Sequence, residues 1–184
     1  TEFIIEESLK IFKNKKINIK ILDIGTGSGA IAISLAREFK EAKITAIDIS
    51  DQAIQVARKN IIEKKLDTKI ELKKINIDLI EETFDLIVSN PPYLSQRELE
   101  TIPNEIKYFE PSIALNGGKD GLNFYRKFAI KLPKIMKPNS KLILEIGESQ
   151  YSDCRDIFSV SLLKFEKKIK DLQKKDRIMV FSKI

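Results

Sequence analysis

Four consecutive residues, Asn90, Pro91, Pro92 and Tyr93, follow an apolar run from Phe84 to Ser89. The asparagine carboxamide oxygen and the proline carbonyl are hydrogen-bond acceptors. Two prolines in a row remove two backbone donors and fix two φ angles, so the segment must leave a strand as a stiff, extended loop. A rigid pair of acceptors suits one task. It takes the two N–H bonds of a planar amide or amino nitrogen, whose lone pair is delocalised, and directs the remaining electron density at an electrophile. Acceptors fixed during folding need no reorganisation in the transition state. Tyr93 is placed to stack on the planar group. In isolation, the same four residues also read as an asparagine-capped turn followed by an aromatic core residue.

A second constellation precedes it. Gly25, Thr26, Gly27, Ser28 and Gly29 directly follow the apolar run Ile21-Leu22-Asp23-Ile24 and open a helical pattern. Glycines let a backbone bend tightly and approach a ligand, and a helix N-terminus offers amide donors. Asp48 ends the next apolar run, where a carboxylate can hold both hydroxyls of a ribose. Together they point to a nucleoside-containing cofactor. Gly25, Gly27 and Ala30 also satisfy a relaxed dinucleotide fingerprint, so this loop alone leaves NAD open, and a bare tight turn is the bland alternative. Asp23 shifts the balance, because a carboxylate repels a pyrophosphate and attracts a cation. S-adenosylmethionine, with its ammonium and sulfonium, has the fitting charge.

Histidine is absent, which excludes Ser-His-Asp triads, Cys-His pairs and histidine-based zinc sites, and no metal is expected. Methylation of an amide nitrogen needs no prior general base, since the proton leaves easily once the nitrogen carries the methyl group. The single cysteine, Cys154, excludes an internal disulfide. With no run of about 18 apolar residues and no signal peptide, the expected location is the cytoplasm, away from membranes. The formal charge of +6 would attract nucleic acid diffusely. Lysine far outnumbers arginine, however, as A/T-rich codon drift would also produce, so charge alone assigns no such ligand.

These residues need elements to position them. Lys20–Ile24, Lys43–Asp48, Lys69–Lys73, Phe84–Ser89 and Ser140–Ile146 read as strands, mostly continuous apolar stretches of the kind buried in parallel sheets. Helical patterns intervene at Gly29–Phe39, Asp51–Lys64, Gly121–Met136 and Ser149–Phe158, with Ser50 as a cap for the second. Leu163–Ile169 and Arg177–Ser182 flank a short polar segment and predict a closing antiparallel hairpin. The expectation is an α/β, Rossmann-like, mostly parallel seven-stranded sheet, formed by the 184 residues as one domain, 1–184.

At this level of detail the chain resembles a known family: the class I methyltransferases of the PrmC/HemK type, which methylate the glutamine amide of the Gly-Gly-Gln motif in peptide chain release factors. Thr1-Glu2 resembles the end of that family's opening motif, Ile21 to Ala32 its cofactor loop, and Asn90 to Tyr93 its catalytic motif. Tyr108 to Pro111 and Ala114 to Tyr125 resemble the segment that follows, and Glu145-Ile146-Gly147, Lys170-Asp171-Leu172 and Asp176-Arg177-Ile178 its closing strands. The resemblance implies S-adenosylmethionine bound by Asp23, Gly25, Thr26, Gly27, Gly29, Asp48, Ile49, Asn76 and Asn90. It implies catalysis by Asn90, Pro91 and Tyr93, with Pro92 completing the amide pocket. Asn76 stands where many members carry aspartate, and Asp78 is its competitor for the adenine contact.

Adenine-N6 methyltransferases acting on DNA or RNA also carry Asn-Pro-Pro-Tyr and are the alternative, but they need a target-recognition region for which this chain has no room. A direct nucleic-acid substrate is therefore not expected. Family members usually have a helical N-terminal domain that engages the release factor. The chain starts within a motif, so it is expected to be the catalytic piece of a longer protein, better at binding cofactor than at recognising its protein substrate.

Overall fold

A computed structural model describes residues 1–13, 18–103 and 112–184. The chain opens with α1 (Glu2–Ile11) and then alternates: β1 (Lys20–Ile24), α2 (Ala30–Glu38), β2 (Lys43–Asp48), α3 (Asp51–Glu63), β3 (Ile70–Lys74) and β4 (Phe84–Ser89). Two short helices, α4 (Gln96–Thr101) and α5 (Ser112–Leu115), precede α6 (Asn123–Ile135), β5 (Met136–Glu145) and α7 (Tyr151–Ser159). The hairpin β6 (Leu163–Lys170) and β7 (Asp176–Lys183) closes the fold.

Among the described residues the sheet has seven strands in the order β3-β2-β1-β4-β5-β7-β6. β1 pairs in parallel with β2 and β4, and β7 runs antiparallel to both β5 and β6. Every β1 residue after Lys20 is buried, as expected of a strand covered on both faces. One layer packs α6 and α7 on Leu22, Ile87 and Leu142; the other packs α1, α2 and α3 on Ile21, Val88 and Ile143. Cys154 lies fully buried in the first layer, and burial pushes its thiol up to about 12. The chain order reverses at β1 and β4, so the crevice between their carboxyl ends is the place where such a sheet receives a ligand.

The predicted strands and hairpin all form, and the Ser50 hydroxyl does cap α3, accepting from the Ala53 amide at 3.3 Å. Three details differ from expectation. α1 was not foreseen; it folds because Ile4 is driven fully under the sheet beside Leu35 and Phe39. The helix expected to reach Met136 ends at Ile135 with Pro133 inside its last turn, where proline cannot continue the bonding ladder. β5 then begins at once, four residues before its predicted start at Ser140, with an irregular register against β4 between Phe84 and Leu86.

Candidate active site

Backbone geometry builds the first wall. Gly25 and Gly27 adopt φ of 69° and 56°, values open to glycine and costly for other residues. The Gly25 and Thr26 amides both donate to the Ile47 carbonyl, at 2.9 and 3.0 Å, which bends the loop across β2. Asp23 braces it from beneath. Its Oδ2 accepts from the Thr26 hydroxyl at 2.7 Å and the Ala32 amide at 3.2 Å, while its buried Oδ1 has no partner among the described residues. Complete burial, aided by the charge of Asp48, raises the Asp23 carboxyl to about 6. Asp48 Oδ2 accepts from the Gly27 amide at 3.0 Å and Oδ1 from the Ser50 amide at 2.9 Å. Each of these oxygens retains a lone pair directed outward.

A cleft of about 760 Å³ opens beside this loop, lined by Gly25, Thr26, Gly27, Asp48, Ile49 and Asn76 on one side and Asn90, Pro91 and Pro92 on the other. This volume is within the range of small-molecule sites. Asn76 faces the cleft, whereas Asp78 does not line it and instead pairs with Lys127 at 2.7 Å. Lys127 also donates to Asn76 Oδ1 at 2.8 Å. Phe124 and Phe128 of α6 add an apolar wall. Lys127 and the two rings went unnoticed as site residues in the sequence. They come from a helix some fifty positions beyond β3, and only tertiary packing joins them.

The second wall is the loop after β4. The Ser89 hydroxyl donates to the Ile24 carbonyl at 2.8 Å and ties the ends of β4 and β1 together. Asn90 Nδ2 donates to the Thr1 hydroxyl at 3.3 Å, so the carboxamide oxygen is left without a partner among the described residues. The Pro91 carbonyl likewise accepts no hydrogen bond there. Two open acceptors thus stand at the edge of the cleft.

Three expected site residues lie elsewhere. Asp23 is sealed beneath the loop and does not line the cleft. Gly29 faces α3, where a Cβ would stand 3.4 Å from Ala57 Cβ, so its role is close packing of two helices. Tyr93 differs most from expectation. Its ring packs on the core with the charge of Arg177 nearby, and it lines no part of the cleft. Burial raises the Tyr93 phenol, with the Glu145 charge adding to it. The resemblance at Tyr108 to Pro111 falls outside the described residues.

The sequence pattern of the methyltransferase small domain family matches residues 8–107. A protein of Francisella tularensis named ribosomal protein uL3 glutamine methyltransferase is 42% identical over 134 residues, 72% of this chain and 42% of that protein. A release factor glutamine methyltransferase of Caulobacter vibrioides is 35% identical over 182 residues, 98% of this chain and 63% of that protein. Among solved structures, the release factor-specific protein-(glutamine-N5) methyltransferase of Alicyclobacillus acidocaldarius superposes with a TM-score of 0.59 at 26% identity. The match covers 99% of this chain and 90% of that one. The chain spans between 32% and 64% of the length of curated relatives that it matches.

Proposed function

The chain belongs to the methyltransferase small domain family, and from that membership we propose that it transfers a methyl group from S-adenosylmethionine to the side-chain amide nitrogen, N5, of a protein glutamine. The substrate proposed is the glutamine of the Gly-Gly-Gln motif in peptide chain release factors, and residues 1–184 form the catalytic domain. The observation that carries this reading is the pair of open acceptors, Asn90 Oδ1 and the Pro91 carbonyl, beside the glycine loop. The curated relatives named for glutamine methylation support it.

The residues present fit the cofactor. The buried, unpartnered Oδ1 of Asp23 places negative charge under the loop where a cation would lie. The outward lone pairs of Asp48 suit two ribose hydroxyls, and Ile49, half exposed, and Phe124 offer apolar surface to a base. Asn76 reaches the cleft at the adenine end of this arrangement. When bound, S-adenosylmethionine supplies an electrophilic methyl carbon and a neutral thioether as the leaving group.

Asn90 Oδ1 and the Pro91 carbonyl each accept one N–H of the glutamine carboxamide, which holds its nitrogen in line with the methyl carbon. The Pro91 and Pro92 rings keep both acceptors from relaxing toward each other. Transfer would form one N–C bond as one C–S bond breaks, and the methylated nitrogen, then positive, would give its extra proton to water. No side chain of this protein has to act as a base. Among the described residues no helix is long and apolar enough to cross a membrane, and the proposed location is the cytoplasm.

The test is methyl transfer from labelled S-adenosylmethionine to a release factor, to ribosomal protein uL3 and to nucleic acid, followed by peptide mass spectrometry. The expected product carries one methyl group on the Gly-Gly-Gln glutamine. Label confined to nucleic acid would overturn the proposal, and label confined to uL3 would keep the amide chemistry but reassign the substrate.

A further inference from the structure

Two stretches that carry part of the family resemblance, Asn116 to Leu122 and Glu145 to Gly147, line no part of the cleft. Both converge on one side chain. Gln150, immediately before α7, is 8% exposed. Its Nε2 donates to the Tyr93 carbonyl at 2.8 Å and the Gly121 carbonyl at 3.2 Å. Its Oε1 accepts from the Gly147 amide at 3.0 Å and faces the Tyr125 hydroxyl at 3.4 Å. A carboxamide has two donor hydrogens and two acceptor lone pairs; three of the four are engaged here, and the fourth faces a hydroxyl whose one proton is shared with the Glu145 carbonyl.

The space for this amide exists only because two neighbours lack side chains. A Cβ on Gly121 would stand 2.6 Å from Gln150 Nε2 and 2.3 Å from the Tyr93 carbonyl oxygen; one on Gly147 would stand 2.8 Å from Oε1. Tyr125, fully buried, closes the far side and also donates to the Glu145 carbonyl at 3.1 Å. Three chain segments, around Tyr93, Gly121 to Tyr125 and Glu145 to Gly147, therefore meet at one amide. One of them is the far end of the Asn90-Pro91-Pro92-Tyr93 loop.

That loop has two anchors. Upstream, Ser89 is fixed in β4 and bonded to the Ile24 carbonyl. Downstream, the prolines transmit direction but make no backbone donation, so the position of the Asn90 and Pro91 acceptors depends on where the Tyr93–Leu94 peptide is pinned, by Gln150 at its carbonyl and by the Leu115 carbonyl at its N–H. We propose that Gln150 is a positioning residue for methyl transfer. It fixes the Tyr93 carbonyl and thereby sets the aim of the two acceptors, without touching substrate or cofactor. This rests on the methyltransferase reading above. The residue type matters: a carboxylate would face two carbonyl oxygens with no proton to give, and a hydrophobe of the same length would leave two carbonyls and an amide unpaired in a buried place.

The experiment uses the full-length protein with a release factor as methyl acceptor and compares Gln150→Met and Gln150→Glu with the parent. A misplaced acceptor pair slows transfer without weakening the cofactor, so Gln150→Met is expected to lower kcat by about 10- to 100-fold while calorimetry shows the Kd for S-adenosylmethionine changed by less than about 3-fold. Gln150→Glu separates aim from packing. A protonated carboxyl regains one donor toward the Tyr93 carbonyl, so the activity of this variant relative to the parent should rise as pH falls. Tyr93, Tyr125, Glu145, Glu148, Cys154 and Arg177 surround the position in both proteins, and taking the ratio at each pH cancels their own titration.

A folded Gln150→Met variant with parental kcat overturns the proposal. So does a Gln150→Glu defect that is flat with pH, which is the mark of a merely structural residue. Hydrogen exchange at Leu94, whose amide bonds to the Leu115 carbonyl, gives a readout independent of turnover. Faster exchange in Gln150→Met supports the clamp even if the parent proves inactive on release factors, a result that would sink the function and not the anchor; unchanged exchange in that case overturns the anchor as well.

Discussion

The two walls of the cleft are built by opposite strategies. The glycine-loop wall closes on itself: Asp23 braces Thr26 and Ala32, and Asp48 reaches back to Gly27, all within one β-α-β segment. The loop after β4 is held from afar, by Gln150 at its Tyr93 carbonyl, with Arg177 of the closing hairpin near the Tyr93 side chain. A wall with local bracing keeps its shape whatever happens at the other end of the sheet. A wall braced at long range is only as accurate as the packing of the β5–α7 turn and the closing hairpin. Affinity for the cofactor should therefore be governed by one wall and the rate of transfer by the other.

The largest expected effect that could break this division comes from Asn90→Ala. Removing one of two fixed acceptors should slow methyl transfer by about 100- to 1000-fold, while cofactor affinity by calorimetry stays within a few-fold. An equal fall in both would erase the division. Asp48→Ala comes next. It strips the ribose acceptor and leaves the Gly27 and Ser50 amides unpaired, so cofactor Kd should rise by about 10- to 100-fold, with kcat at saturating cofactor nearly kept.

Asp23→Asn sharpens the picture through pH. The folded carboxyl is raised from 3.8 to about 6 by burial, so between these values the folded state holds a proton that the unfolded state has lost. Stability is then fullest below the unfolded value and falls as pH rises through the window, by up to about 3 kcal/mol in all. Urea titrations from pH 4 to about 7 should show that decline in the parent and its loss in Asp23→Asn. The smallest effect belongs to Ser95→Ala, which removes the capping box of α4, where the Ser95 hydroxyl and the Glu98 side chain satisfy each other's amides. It should cost about 1 kcal/mol in thermal or urea unfolding and leave cofactor affinity alone.

The same contrast explains what could be read in advance. β1, β2 and β4 announced themselves because burial on both faces demands unbroken apolar runs, and the glycine loop because positive φ admits few other residues. Asn76, named from the family resemblance with Asp78 as its competitor, does line the cleft while Asp78 does not. An aromatic ring after two prolines suits a stacking surface and a core anchor equally, and the packing of Tyr93 on the core could not be read from the sequence. Gln150 gave no signal at all, since a lone glutamine before a helix looks like solvent-facing polarity until the glycines around it are seen in space. α1 is weakly marked in the sequence, because its apolar spacing of Ile4, Ile5 and Leu9 spans only ten residues.

Cys154 lies on the buried face of α7 and its thiol is pushed up to about 12. At neutral pH this sulfur is both covered and protonated, the condition in which it resists alkylation. Because it is the chain's single cysteine, uptake of a maleimide reports unfolding directly, and a ligand that binds only the native state should slow that uptake by a factor of one plus the ratio of free ligand concentration to Kd. The same property makes any cysteine introduced on the surface the lone reactive handle for spectroscopic labels.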